Sequence, residues 1–292
     1  MNDDLISVTI SAYNHERYIE ECIRSIIAQT YENIELLVID DGSKDRTFEI
    51  LQSLKPECEK RFVRVVLETH TNRGMPKTSN ILIEKARGTY IYGIASDDKA
   101  KPYAIERLYD FLSRNPDYVL AVGDNEMIDR DSNRIYWDNE RNVVPAENAV
   151  CRTVGEDLGI NDTDKFGRYE TLLRANHVPN GYLIRRQAMI DCGKYDPDIL
   201  LEDWYIHLQL IKIGKLKYIP EILFSYRWHD SNTIKSETIE KKRKEIYRQI
   251  YLHEKSYCFS NGYKKLWKKM WSKQFGLRAM WKKLRDFIRR KK

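Results

Sequence analysis

The sequence predicts an α/β fold: a mostly parallel central sheet flanked by helices, with a helical C-terminal extension. Three observations carry this. Short apolar runs alternate with amphipathic stretches at the spacing of βαβ units, polar clusters follow those runs, and the C-terminal stretch repeats apolar residues at three- and four-residue steps.

In chain order, 5–10 (LISVTI), 34–40 (IELLVID), 62–67 (FVRVVL) and 89–94 (TYIYGI) are β-branched or aromatic runs, as expected of strands buried on both faces. Between the first two, Tyr18, Ile19, Cys22, Ile23, Ile26 and Ile27 mark one face of a helix. Residues 45–55 and 75–86 supply two more crossover helices. A helix and then a strand (YVLAVG) follow within 101–125. The stretch 129–170 is polar and poorly periodic, which suits a long excursion over an active site. Order returns with GYLIRR as a strand, 202–213 as a helix and 216–228 as one or two strands. This divides the chain into 1–232, made of a nucleotide-binding half (1–125) and a second half (126–232), and an extension, 233–292.

The 292 residues suffice for a large hydrophobic core. The net charge of +6 is uneven: 261–292 hold 13 Lys/Arg against Asp286, a net +12, which leaves −6 for the rest. An acidic body disfavours nucleic acid as a partner. The five cysteines form no CxxC pair and are odd in number, which excludes a disulfide scaffold or a structural zinc site and fits a reducing compartment. The acidic start MNDDLISVTISAYN is unlike a signal peptide, and no apolar stretch is long enough for a membrane span, so membrane association is expected to be peripheral.

In an α/β sheet, ligands bind beyond the carboxyl ends of the strands. Three polar clusters fall there and are expected to converge: Ser11-Ala12-Tyr13-Asn14, Asp40-Asp41-Gly42-Ser43 and Ser96-Asp97-Asp98. Paired acids beside a diphosphate require a divalent cation between them, and hard oxygen ligands suit Mg2+ or Mn2+. Taken alone, Asp97-Asp98 also reads as a solvated turn and Asp41-Gly42 as a turn before a capped helix. Glu202-Asp203 reads as an acidic helix start or as a site for a proton-accepting base, and His229 as a structural histidine or a ligand.

SVTISAYNHERYIEECIRSIIAQTYENIELLVIDDGSKDRT resembles the opening of the inverting family 2 glycosyltransferases of GT-A fold, and ASDDK resembles their DxD-type metal motif. The similarity continues through NRGMPKTSN, NGYLIRRQAMIDCGKYD, LLEDW and YRWHDSN, covering about residues 5–232. The resemblance implies a GT-A nucleotide-diphospho-sugar transferase fold and a sugar transfer from a UDP-sugar to an acceptor hydroxyl, assisted by Mn2+ or Mg2+. It puts Ser11, Tyr13 and Asp41 around the nucleobase, with Asp41 accepting from the uracil N–H. Asp97 would touch ribose and donor sugar, Asp98 would bind the metal, His229 would lie near metal or diphosphate, and Asp203 would be the base. Ser79 stands where many relatives have Arg, which shifts a phosphate or base contact onto Arg73 or Lys77. Asn176, His177, Asn180, Gly181, Glu202 and Trp204 are expected on the acceptor side.

In 263–288 the residues Tyr263, Leu266, Trp267, Met270, Trp271, Trp281, Leu284 and Ile288 form an apolar stripe among lysines and arginines. That pattern fits a helix lying on an anionic membrane, or one packed on the body or on a partner protein. The expectation is a cytoplasmic enzyme held peripherally at the inner face of the cell membrane, acting on a lipid-linked or cell-surface glycan. The competing functions are a non-catalytic nucleotide-sugar-binding protein and a sugar-1-phosphate nucleotidyltransferase. The second would need a glycine-rich, Arg-containing loop after the first strand, and none is there.

Overall fold

A computed structural model describes residues 4–160, 163, 165–199, 201–232, 235 and 237–276. The first half is βαβ in order: β1 (Ile6–Ala12), α1 (Ile19–Ile27), β2 (Ile34–Asp40), α2 (Thr47–Arg61), β3 (Arg64–Thr69), α3 (Met75–Lys85) and β4 (Tyr90–Gly93). β1 lies parallel to β2 and β4, and β2 parallel to β3. Every residue of β2 is buried, which explains its continuous apolar run. Of its two buried acids, Glu35 is satisfied by Ser7 Oγ and Arg64 Nη1, both at 2.6 Å, and by the Arg87 and Gly88 amides, and Asp40 accepts from Thr69 Oγ1 at 2.7 Å.

Next come β5 (Lys99–Ala100), α4 (Ala104–Arg114) and β6 (Tyr118–Ile128). The 129–170 excursion is short pieces: β7 (Arg134–Trp137), β8 (Val143–Val144), a 3-10 turn at Ala146–Asn148, α5 (Val154–Asp157) and α6 (Tyr169–Leu172). It is followed by β9 (Tyr182–Arg185), α7 (Arg186–Asp191), α8 (Glu202–Leu210) and β10 (Lys215–Arg227), a single strand. The main sheet runs β3-β2-β1-β4-β9-β6-β10-β5.

The sheet is mixed: six of the eight strands in that order run the same way, as expected, and β9 and β5 run against them. β9 enters after the excursion, from the opposite end, and pairs antiparallel with both β4 and β6, whereas β10 returns parallel to β6. Two apolar clusters sandwich it: one under α1, α2 and α4, the other under α6 to α8.

The extension begins with α9 (Glu237–Ser260) and α10 (Lys264–Phe275). Ile250, Tyr251, Cys258, Trp267 and Met270 are buried in the same cluster as Trp204 and Leu120, and Tyr263, Leu266 and Trp271 pack against it. The Trp267 indole N–H donates to the Tyr251 carbonyl at 2.6 Å. The first half of the apolar stripe therefore seats α10 on the body. Trp281, Leu284 and Ile288 lie outside the described residues, and among the described residues no helix is long and apolar enough to cross a membrane. Trp267→Ala should cost about 3–5 kcal/mol of unfolding free energy, as large-to-small changes of buried aromatics do, measured by urea denaturation.

Candidate active site

The three strand-end clusters converge. After β1 the chain turns through Asn14, whose φ of +53° is a left-handed conformation that Asn tolerates. The Asn14 amide donates to Ser43 Oγ and the Lys44 amide to Asn14 Oδ1, both at 2.8 Å, so the β1 and β2 ends are stitched together. Ser43 thus serves its neighbouring loop, while Asp45 caps the start of α2 through the Thr47 amide and hydroxyl. Gly42 sits at φ +75°, and a Cβ there would lie 2.7 Å from the Asn72 nitrogen, so only glycine fits this approach.

Asp41 is 2 % exposed. Its Oδ1 accepts from the Arg73 amide (2.8 Å) and Thr78 Oγ1 (2.9 Å), and its Oδ2 from the Gly74 amide (2.9 Å). The carboxylate expected to read a base is thus already engaged in holding the 72–74 loop. Tyr13 is 42 % exposed at the rim, and Lys77 is exposed in the first turn of α3.

His15 Nδ1 lies 2.7 Å from Ser96 Oγ, joining the ends of β1 and β4, and its Nε2 is 3.9 Å from Asp97 Oδ2. On the other side, His229 Nε2 lies 3.0 Å from the same oxygen, while Ser231 Oγ engages His229 Nδ1 at 2.9 Å. One ligand atom each from His15, Asp97 and His229 lie within 4.8 Å of one another. The sequence offered Asp98 and His229 as metal ligands; in the structure His229 lies against Asp97, and His15, whose only signal was its place just past β1, joins them.

Asp98 is buried: its Oδ1 accepts from the Arg227 amide at 2.8 Å, and among the described residues no group stands within hydrogen-bond distance and angle of its Oδ2. Burial and then the Asp97 charge push its carboxyl well above the usual range, against the Arg227 hydrogen bond and the nearby Asn180 amide. Burial also pushes Asp97 upward, but the His229 hydrogen bond and the charges of both histidines outweigh it and hold Asp97 below its ordinary value. Two carboxylates and two imidazoles, with one buried oxygen unpaired, fit a divalent cation bound by Asp97, His229 and His15, with Asp98 Oδ2 in support.

Beside these strand ends lies a cleft of about 250 Å3, lined by Ser11, Gly93 and Ala95 on the β1/β4 side and by Asn180, Gly181, Glu202 and Asp203 opposite. Gly181 (φ +76°) allows the chain to pass over Phe224, where a Cβ would fall 2.2 Å from the ring. Ser11 and Asp203, 192 positions apart in the chain, thus face one space. Asp203 Oδ1 accepts from the Trp204 amide at 2.6 Å and Oδ2 from Asn176 Nδ2 at 2.8 Å. Burial pushes the Asp203 carboxyl up against those bonds, and burial followed by the Asp203 charge pushes Glu202 up to about 8.

Three of the residues expected on the acceptor side do not line this cleft. Trp204 turns away from the cleft: it is 2 % exposed, bonds the Leu172 carbonyl through its indole N–H and packs on Tyr247, because the face of α8 it occupies is the core face. His177 packs edge-on against Phe166, and Asn176 reaches Asp203 from behind rather than lining the cleft.

Comparison with known proteins gives the class, a glycosyltransferase. Residues 7–172 match the profile described as Glycosyl transferase family 2, and the chain belongs to that family. An uncharacterized glycosyltransferase of Haemophilus influenzae is 38% identical over 229 residues, covering 78% of each chain. The structure of S. aureus TarS 1-349 in complex with UDP-GlcNAc matches with a TM-score of 0.62 at 17% identity, over 85% of this chain and 66% of that one. Mannosyltransferase PcManGT from Pyrobaculum calidifontis, in complex with GDP-Man and Mn2+, matches at 0.60 and 13% identity, over 87% of this chain and 64% of that one. These two likenesses show that the fold is GT-A.

Glu202 gives a stability prediction. Its carboxyl holds a proton more tightly folded, near 8, than unfolded, so ionising it destabilises the native state progressively as pH rises through that window. Glu202→Gln should raise Tm, by more at about pH 8.5 than at about pH 5. Differential scanning calorimetry at the two pH values checks it.

Proposed function

We propose that this chain is an inverting glycosyltransferase that moves a sugar from a UDP-sugar to the hydroxyl of a lipid-linked or cell-surface glycan. The observation that carries the reading is Asp203: a carboxylate with a raised pKa that shares one cleft with Ser11 and Asn180, opposite the strand ends where a nucleotide binds in such folds.

In the reaction the acceptor oxygen attacks C1 of the sugar while its proton passes to an Asp203 oxygen. The bond from C1 to the diphosphate oxygen breaks, and its electron pair leaves with the nucleoside diphosphate. A single displacement inverts C1 and needs one base, with no enzyme nucleophile. Asp97, His229, His15 and Asp98 would hold Mn2+ or Mg2+, which when bound would supply charge stabilisation to the leaving diphosphate. Asn180 borders both the cleft and Asp98, which suits a contact where donor and acceptor meet. Asp41 shapes the nucleotide side by holding the 72–74 loop, with Ser11, Tyr13 and Lys77 available to base, ribose and phosphate. The UDP-GlcNAc complex of TarS supports a UDP-sugar, and the Mn2+ complex of PcManGT supports the metal.

With Mn2+ and a panel of UDP- and GDP-sugars, turnover by the wild type should fall about a hundred- to ten-thousand-fold in Asp203→Asn. Asp97→Ala should abolish the Mn2+-dependent rise in Tm that cation binding to the native state produces. Normal turnover by Asp203→Asn would refute the base. Since the base works ionised and its carboxyl is raised, kcat/KM should fall on the acid side, with the acid limb lying above that of an ordinary carboxyl.

The membrane part of the reading rests on 277–292, where eight Lys/Arg face a single Asp286 beside Trp281, Leu284 and Ile288. Because α10 is seated on the body, the informative truncation starts at 277. Removing 277–292 should abolish cosedimentation with anionic vesicles and leave turnover on a soluble acceptor intact, whereas equal vesicle binding would refute a peripheral association at the inner membrane face.

A further inference from the structure

Behind the cleft, the Asn176 side chain bridges Asp203 to a buried histidine. Its Nδ2 donates to Asp203 Oδ2 at 2.8 Å, and its Oδ1 lies 3.2 Å from His207 Nδ1 and accepts from the Val178 amide at 3.3 Å. These contacts settle the amide orientation, since a flipped amide would turn oxygen toward the carboxylate and lose the Val178 bond. An amide oxygen carries no proton, so His207 must donate from Nδ1. His207 is 1 % exposed, its Nε2 is buried without a partner, and its ring lies edge-on to Tyr182 at 5.1 Å. Burial, with His177 adding, pushes its pKa down to about 3, so the ring stays neutral and keeps one N–H to place.

We propose that Asn176 and His207 are positioning residues for the base: His207, as the Nδ1–H tautomer, orients the Asn176 amide, and Asn176 holds the Asp203 carboxylate ionised and fixed at the edge of the cleft. The inference rests on Asp203 being the base. Other titratable groups around Asp203 are Glu202 on the same helix turn, the Tyr182 hydroxyl on β9, Tyr195 after α7 and Tyr226 on β10. Each of these is acidic or neutral and disfavours a negative charge or leaves it unaided. The Asn176 N–H is the side-chain donor that offsets burial at Asp203, beside the backbone amides of Asp203 and Trp204.

The test is the single-turnover transfer rate over about pH 5.5 to 9.5 for wild type, Asn176→Leu, His207→Phe and Asp203→Asn. Circular dichroism and nucleotide affinity, measured with UDP, report folding. Asn176→Leu removes the donor and should move the acid limb up by about one pH unit, a roughly tenfold loss on that limb that disappears at high pH. His207→Phe keeps the ring packing against Tyr182 but frees the amide to flip, so a smaller shift in the same direction is expected. If the leucine variant does not fold, Asn176→Ser carries the same expectation. A rate lowered equally at every pH, with the limb unmoved, overturns the proposal and leaves Asn176 a packing residue. If instead Asp203→Asn turns over like wild type, the base assignment itself falls, an outcome distinct from an unmoved limb with Asp203→Asn inactive.

Discussion

The site depends on one buried cation. Arg227, at the end of β10, is 1 % exposed, and an unpaired guanidinium there would cost several kcal/mol. Its pairing is extensive: Nε donates to the Asp97 carbonyl at 2.6 Å, Nη1 to the Asp129 carbonyl and Ser132 Oγ, and Nη2 to Glu21 Oε2 at 2.6 Å. The planar fork has five N–H donors in fixed directions, so these partners must converge on it. They come from the β4–β5 turn, the β6–β7 turn and α1. The Arg227 amide meanwhile holds Asp98 Oδ1, and its carbonyl accepts from Asn232, which in turn receives the His229 amide. A lysine could meet only part of this set, so the geometry of Asp97, Asp98 and His229 is inherited from one side chain that touches none of the reacting atoms.

That scaffold leaves two acidic pairs in opposite electrostatic conditions. At Asp97-Asp98 the histidines draw one carboxyl below its usual range while burial and its neighbour drive the other far above it, a split that a bound cation relieves. At Glu202-Asp203 both carboxyls are raised, and no cationic side chain is among the causes of either shift. A pair of this kind titrates as a unit, so its pH behaviour belongs to the two together. In the proposed reaction the first pair would serve a departing diphosphate only through a cation, and the second would receive a proton from a hydroxyl.

Much of this was legible in the chain, for reasons that differ element by element. β2 and α1 follow from local pattern, since strands buried on both faces and one-faced helices leave clear periods. The convergence of the strand-end clusters followed from the general geometry of α/β sheets. What periodicity does not carry is the direction of a strand after a long connection, and β9 runs antiparallel for that reason. Nor does it show which way a residue turns at a helix start: Asp203 and Trp204 are adjacent, yet one borders the cleft and the other enters the core. His15 and Asn176 went unassigned to their partners because those lie 82 and 27 positions away, at separations set by packing alone.

The same helix explains why the extension matters to chemistry at the other end of α8. α9 lies along α8: Tyr247 meets Trp204 edge-on, His253 meets Tyr205, and Glu254 receives Gln209 and Lys212 at 2.8 Å each together with the Tyr169 hydroxyl. Glu254 is itself 1 % exposed, so the network is satisfied in the interior, where losing Lys212 would leave a buried charge without its counterion. α8 is thus held along its length by a segment that the chain adds after the sheet is complete. A base must stand within hydrogen-bond reach of the proton it takes, and a shift of an ångström at the helix start would carry Asp203 out of that reach. With Asp203 as the proposed base, the C-terminal helices would act on the reaction through the rigidity of α8.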